Sequence, residues 1–360
     1  MKIGIIGAGQ LGRMLALAGY PLGLQFVFLD PSADAPGAAL GSMVKGDFAN
    51  TTALHSLAAR VDVVTFDVEN VPVEALGEIA ALKPFWPPVT ALGVSQDRLL
   101  EKQLFRSMGI ATAEFAAVDS LEDLRSAARR IGLPGVLKTR RLGYDGRGQF
   151  YLRSTKDLAV AWKALGAVPL IYEAFVEFSR EVSIIGARGA RGEMVFYPLS
   201  ANVHSEGILR HSIAPFRNPP LQSQAEKHLR KILRHFDYRG VLAIEFFVRR
   251  GRLIANEMAP RVHNSGHWTI EGAVTSQFEN HLRAIAGLPL GCTAPTGHCA
   301  MINFIGTMPP AAGLLRIPGV HYHSYGKTPR PNRKLGHCTV LAASPLKRDR
   351  VLERVLALPF

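Results

Sequence analysis

The chain has 360 residues, 48% of them hydrophobic, too long for one small core and long enough for two or three domains. Its 42 Lys and Arg outweigh 29 Asp and Glu, a formal charge of +13, which brings nucleic acid into question as a partner. The basic residues are spread out, with no block of like charge and no zinc-finger, KH or RRM pattern, so a phosphorylated small molecule accounts for the charge as well, with no nucleic acid.

Lys2 to Ile6 reads as a buried parallel strand. It runs into Gly7-Ala8-Gly9-Gln10-Leu11-Gly12 and an Ala/Leu-rich helix ending near Gly19, the order strand, G-x-G-x-x-G, helix. These glycines and Arg13 arrive too soon for a signal peptide. A second strand, Gln25 to Leu29, ends in Asp30, roughly where a dinucleotide fold keeps its ribose-binding carboxylate, and a nicotinamide-dependent dehydrogenase is the tempting reading. The alternation then stops. Val61 to Phe66 gives one more strand, with Asp67 and Glu69 at its end, Pro72 to Leu82 gives a helix, and by Asp97 the character of the chain has changed. Residues 1 to about 100 read as a small α/β domain whose first helix N-terminus holds the phosphate of a substrate.

Residues 97 to 109 form an amphipathic helix with Leu100, Leu104 and Met108 on one face and Arg98 and Lys102 on one stripe, which by itself reads as a solvated face. Asp119 to Arg130 makes another helix, closed by Gly132 and Pro134. The apolar run Gly135-Val136-Leu137 then delivers Lys138 into a glycine loop that extends to Gln149. Gly143, Gly146 and Gly148 permit φ > 0 and let N–H groups approach an anion, while Lys138, Arg140, Arg141 and Arg147 supply positive charge. No Gly-Lys-Ser/Thr closes the loop, so it is not a Walker A motif. Taken alone, it is equally a mobile basic surface loop.

Leu170 to Phe175 is a strand that enters Glu173-Ala174-Phe175-Val176, with Glu181 shortly after; His204 stands alone. Val241-Leu-Ala-Ile-Glu245 and Arg252-Leu-Ile-Ala-Asn256-Glu257 flank Arg249-Arg250-Gly251, which reads as a hairpin turn. With Gly251 at the turn centre, Glu245 lies six residues before it and Glu257 six after, and the two carboxylates face each other. Opposed like charges destabilise a sheet, and an unpaired charge within an apolar strand is costly. Mg²⁺, which takes one or two carboxylates plus phosphate oxygens, would satisfy the pair; so would a proton on Glu245 or an arginine such as Arg261. The upstream glycine loop favours the metal. The segment Arg261-Val262-His263-Asn264-Ser265-Gly266-His267 reads as a loop suited to a small oxyanion, since Pro260 and Gly266 argue against a helical zinc site.

From Gly291 to Phe360 the chain turns Pro-rich and basic, with short apolar runs that read as a small third domain of strands and a closing helix over 345–358. Three cysteines, Cys292, Cys299 and Cys338, lack a C-x-x-C pair and suit a reducing cytoplasm. No apolar run of membrane-spanning length occurs.

Taken in order, the lysine and glycine loop, Glu173 to Val176, Glu181, Glu245 and Asn256-Glu257 resemble the ATP-grasp enzymes. Four stretches narrow the resemblance to the 5-(carboxyamino)imidazole ribonucleotide synthases: Gly9 to Met14, Gly143 to Gln149, Asn256 to His267, and Arg330-Pro-Asn-Arg-Lys-Leu-Gly-His337. The implied architecture is α/β with three domains: an N-terminal Rossmann-like parallel-sheet domain (1–100), a central ATP-grasp domain (101–290) and a small C-terminal β-rich substrate-binding domain (291–360). The implied activity is ATP- and bicarbonate-dependent carboxylation of the exocyclic amine of 5-aminoimidazole ribonucleotide in purine biosynthesis, by a cytoplasmic homodimer.

The resemblance also implies roles. Arg98, Lys138 and the loop Gly143, Tyr144, Asp145, Gly146, Arg147, Gly148 and Gln149 would meet the ATP phosphates. Glu173, Ala174, Phe175 and Val176 would hold the adenine and Glu181 the ribose, with His204 at the nucleotide site as well. Glu245 and Glu257 would bind Mg²⁺ beside Asn256. Arg261, His263 and Asn264 would position bicarbonate or carboxyphosphate, and Gln10, Leu11, Glu69, Tyr144, Asp145, Lys327, Arg333 and Lys334 would grip the ribonucleotide, Asp145 being oriented on the amine. Two positions depart from the usual pattern: Asn332, where Gly is common, and Asp67, where Glu is common. Formate-dependent ribonucleotide transformylase and biotin carboxylase are the close alternatives within ATP-grasp enzymes.

Overall fold

The computed structural model describes residues 1–143 and 146–358. At the N-terminus, strands Lys2–Ile6, Gln25–Asp30, Ser42–Lys45 and Val63–Phe66 form a parallel sheet in which Lys2–Ile6 lies between Gln25–Asp30 and Val63–Phe66. Ile3, Ile5, Phe28 and Phe66 are fully buried in it; runs of apolar and β-branched residues covered on both faces are what parallel strands require. The helix Gln10–Gly19 follows the first strand, as the glycine pattern predicts.

Two antiparallel sheets make up the rest. The smaller holds Phe115–Val118, Leu170–Ala174, Gly135–Thr139 and Gln149–Leu152 in that order, so Lys138 sits at the end of an inner strand and pairs with Gln149. Among the described residues the larger has nine strands: it runs from Arg252–Ala259 through Gly240–Arg249, Arg180–Arg188, Ser200–Ser205 and Ile208–Ala214 to His298–Ile305, Lys334–Ala342 and Val320–Ser324, and the short Met194–Phe196 pairs off this path with Arg180–Arg188. The C-terminal strands thus continue the central sheet, with Ile302 opposite His211. The helix Pro345–Leu356 closes the end.

Besides the strand Ser42–Lys45 and the helix Thr51–Ala59, which continue the alternation where the sequence reads as stopping it, two details differ from the sequence reading. Arg249 pairs with Arg252, so the hairpin turns on Arg250 and Gly251 together, at φ 49° and 73°, instead of on Gly251 alone. That register would misalign the two glutamates by one residue and put them on opposite faces. A β-bulge restores it: between Phe246↔Ala255 and Glu245↔Glu257, Asn256 is the extra residue. The second difference is the buried side of helix Arg98–Ser107, which is Glu101, Lys102 and Phe105, while Leu100 is exposed and Leu104 and Met108 are only partly covered.

Candidate active site

Arg98–Ser107 lies between the two antiparallel sheets and ties them together. Lys102, 1% exposed, places its Nζ 2.7 Å from the Asn256 carbonyl and 3.3 Å from that of Ala255, on the bulge, and 3.4 Å from Glu173 in the smaller sheet. Lys138 reaches the same Glu173 oxygen at 3.1 Å. Against the pull of burial, these two ammonium groups hold the Glu173 carboxyl down at about 2. Burial in turn pulls Lys102 below the ordinary lysine value. Glu101 accepts the Met258 N–H at 2.7 Å, and burial, reinforced by Glu257, raises its carboxyl to about 8.

Arg98 donates to the carbonyls of Thr139 (2.9 Å) and Gly143 (2.7 Å), pinning the entry to the glycine loop. Gly146 and Gly148 have φ of 77° and 70°, and a Cβ on Gly146 would stand 2.6 Å from the Glu206 carbonyl oxygen. The loop therefore packs against the Glu206–Gly207 turn of the larger sheet, a contact that needs glycine twice over, for backbone conformation and for space. Arg147 is exposed. Tyr144 and Asp145 lie outside the described residues. Past Glu173, Ala174 and Phe175 donate their N–H groups to Glu114 and Pro134 carbonyls. The ring of Phe175 is exposed, Val176 is buried, and Phe178 stacks on Phe247 at 4.7 Å.

Glu245 and Glu257 face each other on the hairpin. Burial, with Glu257 adding to it, raises the Glu245 carboxyl to about 7. Two imidazoles flank it: His204 Nε2 at 3.9 Å and His263 Nε2 at 3.6 Å. His204 also meets Glu181 at 2.9 Å; although burial opposes charge on the ring, Glu181 and Glu245 raise its pKa. His204 thus lies between Glu181 and Glu245, although its sequence surroundings give it no partner. Burial and the charge of Arg261 push His263 well below the ordinary histidine value. His267, four residues on, turns into the core against Phe278 and His337.

The N-terminal domain closes the other side. Glu69 Oε1 lies 2.9 Å from Arg261 Nε, yet neither buried atom has a hydrogen-bond partner, so the two are near without being aligned. Asn264 and Asn303 exchange amide hydrogen bonds at 3.0 and 2.7 Å. Lys327 donates to Gln10, at the start of the first helix beside buried Leu11, and so joins the C-terminal strands to the N-terminal domain. Lys334 is close enough to Glu245 and His263 to affect both charges. Arg333 donates to the Thr328 carbonyl at 3.0 Å within its own loop. Asn332, where Gly is usual, has φ 60°, the left-handed region that Asn tolerates best after Gly.

The glycines after the first strand do not frame a dinucleotide pocket. Asp67 fills the space: its Oδ2 accepts the Gly12 N–H at 2.9 Å, and a Cβ on Gly7 would fall 1.8 Å from its Oδ1. Asp30 is likewise occupied, accepting the Ala8 N–H at 2.9 Å.

A parallel α/β domain joined to two antiparallel sheets, which meet at a glycine loop, paired lysines and facing carboxylates, defines an ATP-grasp protein. Family models agree along the chain: residues 1–96 match the ribonucleotide synthetase preATP-grasp domain, 103–278 the ATP-grasp domain, and 299–350 the phosphoribosylaminoimidazole carboxylase C-terminal domain. The N5-carboxyaminoimidazole ribonucleotide synthase of Pseudomonas aeruginosa is 53% identical over 343 residues, 95% of each chain. The crystal structure of the N5-carboxyaminoimidazole ribonucleotide synthetase from Thermus thermophilus is 51% identical, with a TM-score of 0.95 and 99% of each chain covered. That of the Aspergillus clavatus synthase in complex with ADP and 5-aminoimidazole ribonucleotide is 32% identical, with a TM-score of 0.93, covering 99% of this chain and 97% of that one. The chain belongs to the N5-carboxyaminoimidazole ribonucleotide synthase family.

Lys102, Glu101 and Asn303 are the residues of this region that the sequence reading did not assign. The one signal was the Arg98/Lys102 stripe, one helical turn apart.

Proposed function

We propose that the chain is an ATP-dependent carbon–nitrogen ligase that carboxylates the exocyclic amine of 5-aminoimidazole ribonucleotide with bicarbonate and releases ADP and phosphate. The observation that carries this reading is the convergence on Glu245 and Glu257 of Glu181 and His204 from one side and Arg261, Glu69 and Lys334 from the other. A dehydrogenase has no use for such a hairpin, and the glycines it would need are filled by Asp67.

Bicarbonate is a poor electrophile because hydroxide is a poor leaving group. Transfer of the γ-phosphoryl group of ATP to a bicarbonate oxygen turns that leaving group into phosphate. The transfer asks the protein chiefly for positioning and charge neutralisation. Lys138 and the N–H groups of the loop from Gly143 to Gln149 serve the phosphates, with Arg98 holding the loop. Glu173 to Val176 receive the adenine, with Phe175 and Phe178 as apolar surface, and Glu181 the ribose beside His204. Two facing carboxylates, Glu245 largely covered and Glu257 exposed, are oxygen donors of the kind Mg²⁺ takes, and Asn256, the bulge residue next to Glu257, would add an amide oxygen. Bound there, Mg²⁺ supplies neutralisation of the phosphate charge.

Arg261 has a buried Nε without an acceptor, which suits it to an oxyanion; with His263 and Asn264 it holds bicarbonate and then carboxyphosphate. The amine attacks the carboxyl carbon, or CO₂ released from it, and Asp145 orients that amine. Gln10, Leu11, Glu69, Tyr144, Lys327, Arg333 and Lys334 bind the ribonucleotide, with the basic side chains Lys327, Arg333 and Lys334 towards its phosphate. The loop closes over both substrates, because carboxyphosphate is lost to water if exposed.

No described helix is long and apolar enough to cross a membrane. We read the enzyme as a cytoplasmic homodimer, the dimer being testable by sedimentation. The deciding assay measures ADP release with bicarbonate and each candidate acceptor. Release that requires 5-aminoimidazole ribonucleotide supports the proposal; release driven by formate or biotin refutes it.

A further inference from the structure

We propose that Ser265 and Ser183 are positioning residues that fix His263 as its Nε2–H tautomer, so that this imidazole presents a hydrogen-bond donor, not a base, to the anion site. The catalytic use of that donor rests on the carboxylation reading above; the tautomer itself does not.

The backbone N–H of Ser265 points at His263 Nδ1 from 3.3 Å. An amide N–H can only donate, so Nδ1 must carry a lone pair. The Ser265 hydroxyl, 2.8 Å from the same nitrogen, must then give its proton to it as well. That leaves Ser265 Oγ as an acceptor, and Ser183 Oγ donates to it at 2.7 Å. Behind Ser183, the Asn202 amide donates to Ser183 Oγ at 3.1 Å, and Ser212 donates to the Asn202 carbonyl oxygen at 2.8 Å. Ser183 Oγ also lies 2.9 Å from Ser200 Oγ, and Ser200 donates to the Ser265 carbonyl at 3.3 Å, so the serines behind Ser265 are satisfied while its hydroxyl points at His263.

These groups are sealed from solvent: Ser265 and Ser212 are 0% exposed, Ser183 1% and Asn202 4%. Reversing the hydroxyls would oppose donors at one point, the Ser265 N–H against a proton on Nδ1, a buried clash that the observed arrangement avoids. Gln277 holds the backbone of the same residue, its Oε1 accepting the His263 N–H at 2.9 Å and its Nε2 donating to the His263 carbonyl at 2.7 Å. The single proton of the neutral ring therefore sits on Nε2, on the side where Glu245 Oε1 lies 3.6 Å away. An imidazolium, with a proton on each nitrogen, would set an N–H against two donors at Nδ1. His263 is thus built to donate to an oxygen, and proton removal from bicarbonate or from the amine must fall to another group.

The test is nitrogen NMR of the ligand-free chain carrying ¹⁵N-histidine, with the His263 signals assigned by their loss in His263→Gln. The expected pattern is a protonated Nε2 and a pyridine-like Nδ1. Ser265→Ala keeps the backbone N–H at 3.3 Å and loses the closer hydroxyl donor at 2.8 Å, so it should move the signals part of the way towards a tautomer average and lower kcat about tenfold, the order seen when a partner that orients a functional imidazole is removed. The KM for ATP should change by less than about twofold, because the nucleotide groups are untouched. Ser183→Ala should give the same changes to a smaller degree, and it serves as the second variant if Ser265→Ala does not fold. A protonated Nδ1 in the unaltered chain overturns the proposal, as do Ser variants that leave both the spectrum and kcat unchanged. Failure of the carboxylation reading would show instead as absent acceptor-dependent turnover beside an Nε2–H spectrum.

Discussion

Replacing Lys102 by methionine removes the charge that joins the two antiparallel sheets. The ammonium is 1% exposed and contacts the Asn256 and Ala255 carbonyls at 2.7 and 3.3 Å and Glu173 at 3.4 Å. Breaking a buried ion pair from one side costs about 3–5 kcal/mol, because the remaining charge is left uncompensated. Here Lys138 still lies 3.1 Å from the same Glu173 oxygen, and methionine fills most of the lysine's volume, so a loss of about 2–3 kcal/mol is expected. In a chain of this length that corresponds to a fall in Tm of roughly 3–4 °C. Glu173→Gln removes the other partner, and the double variant should be less destabilised than the sum of the two, by about 2 kcal/mol. Thermal melts of the four proteins give the cycle, and steady-state kinetics of Lys102→Met should show a raised KM for ATP, since the bulge that aligns Glu257 loses its anchor. A Tm within about 1 °C of the parent, or strict additivity in the cycle, would refute the anchoring role.

Glu245→Gln should separate stability from activity. The folded-state pKa of about 7 lies above the ordinary 4.5, so the stabilisation is present below about 4.5 and lost as pH rises through about 7. At pH 8 without metal the variant should therefore be more stable than the parent, by up to about 3 kcal/mol. Its ADP formation should nonetheless fall at least about a hundredfold, and the thermal shift that Mg²⁺ and nucleotide give the parent should vanish. Glu173 has the opposite sign: held at about 2, it contributes stability above about pH 4.5 that is lost as pH falls towards 2. Acid unfolding followed by circular dichroism should lose that part of its slope in Glu173→Gln. Gly146→Ala forces a Cβ to 2.6 Å from the Glu206 oxygen at φ 77°. It should lower kcat about tenfold through the closed loop while moving Tm by no more than about 2 °C, as local strain does when confined to a surface segment.

How far the sequence foretold this arrangement depends on the distance over which each feature is decided. Three strands of the parallel sheet were legible because they are apolar runs, a local signal, whereas the edge strand Ser42–Lys45, with only two apolar residues, went unread. The facing glutamates were expected on a turn centred at Gly251; the turn is centred half a residue earlier, and a bulge at Asn256, which no pattern announces, restores the register. Helix Arg98–Ser107 was oriented by its leucines, but its buried side is set by Glu173 and by the Ala255 and Asn256 carbonyls, more than seventy residues away. A charged pair is legible as core only when both partners are known. The same holds for Arg261 with Glu69, and for the serines behind His263, whose residue types have no signature. The resemblance drew attention to what spacing could not, above all His204, which the fold brings against Glu181 and Glu245.

The most direct test of the account follows the oxygen atoms. With ¹⁸O-bicarbonate, ATP, Mg²⁺ and 5-aminoimidazole ribonucleotide, phosphoryl transfer to bicarbonate predicts one labelled oxygen in each phosphate released. Unlabelled phosphate, formed at the same rate with or without the ribonucleotide, would mean that water takes the phosphoryl group and that the chain does not activate bicarbonate.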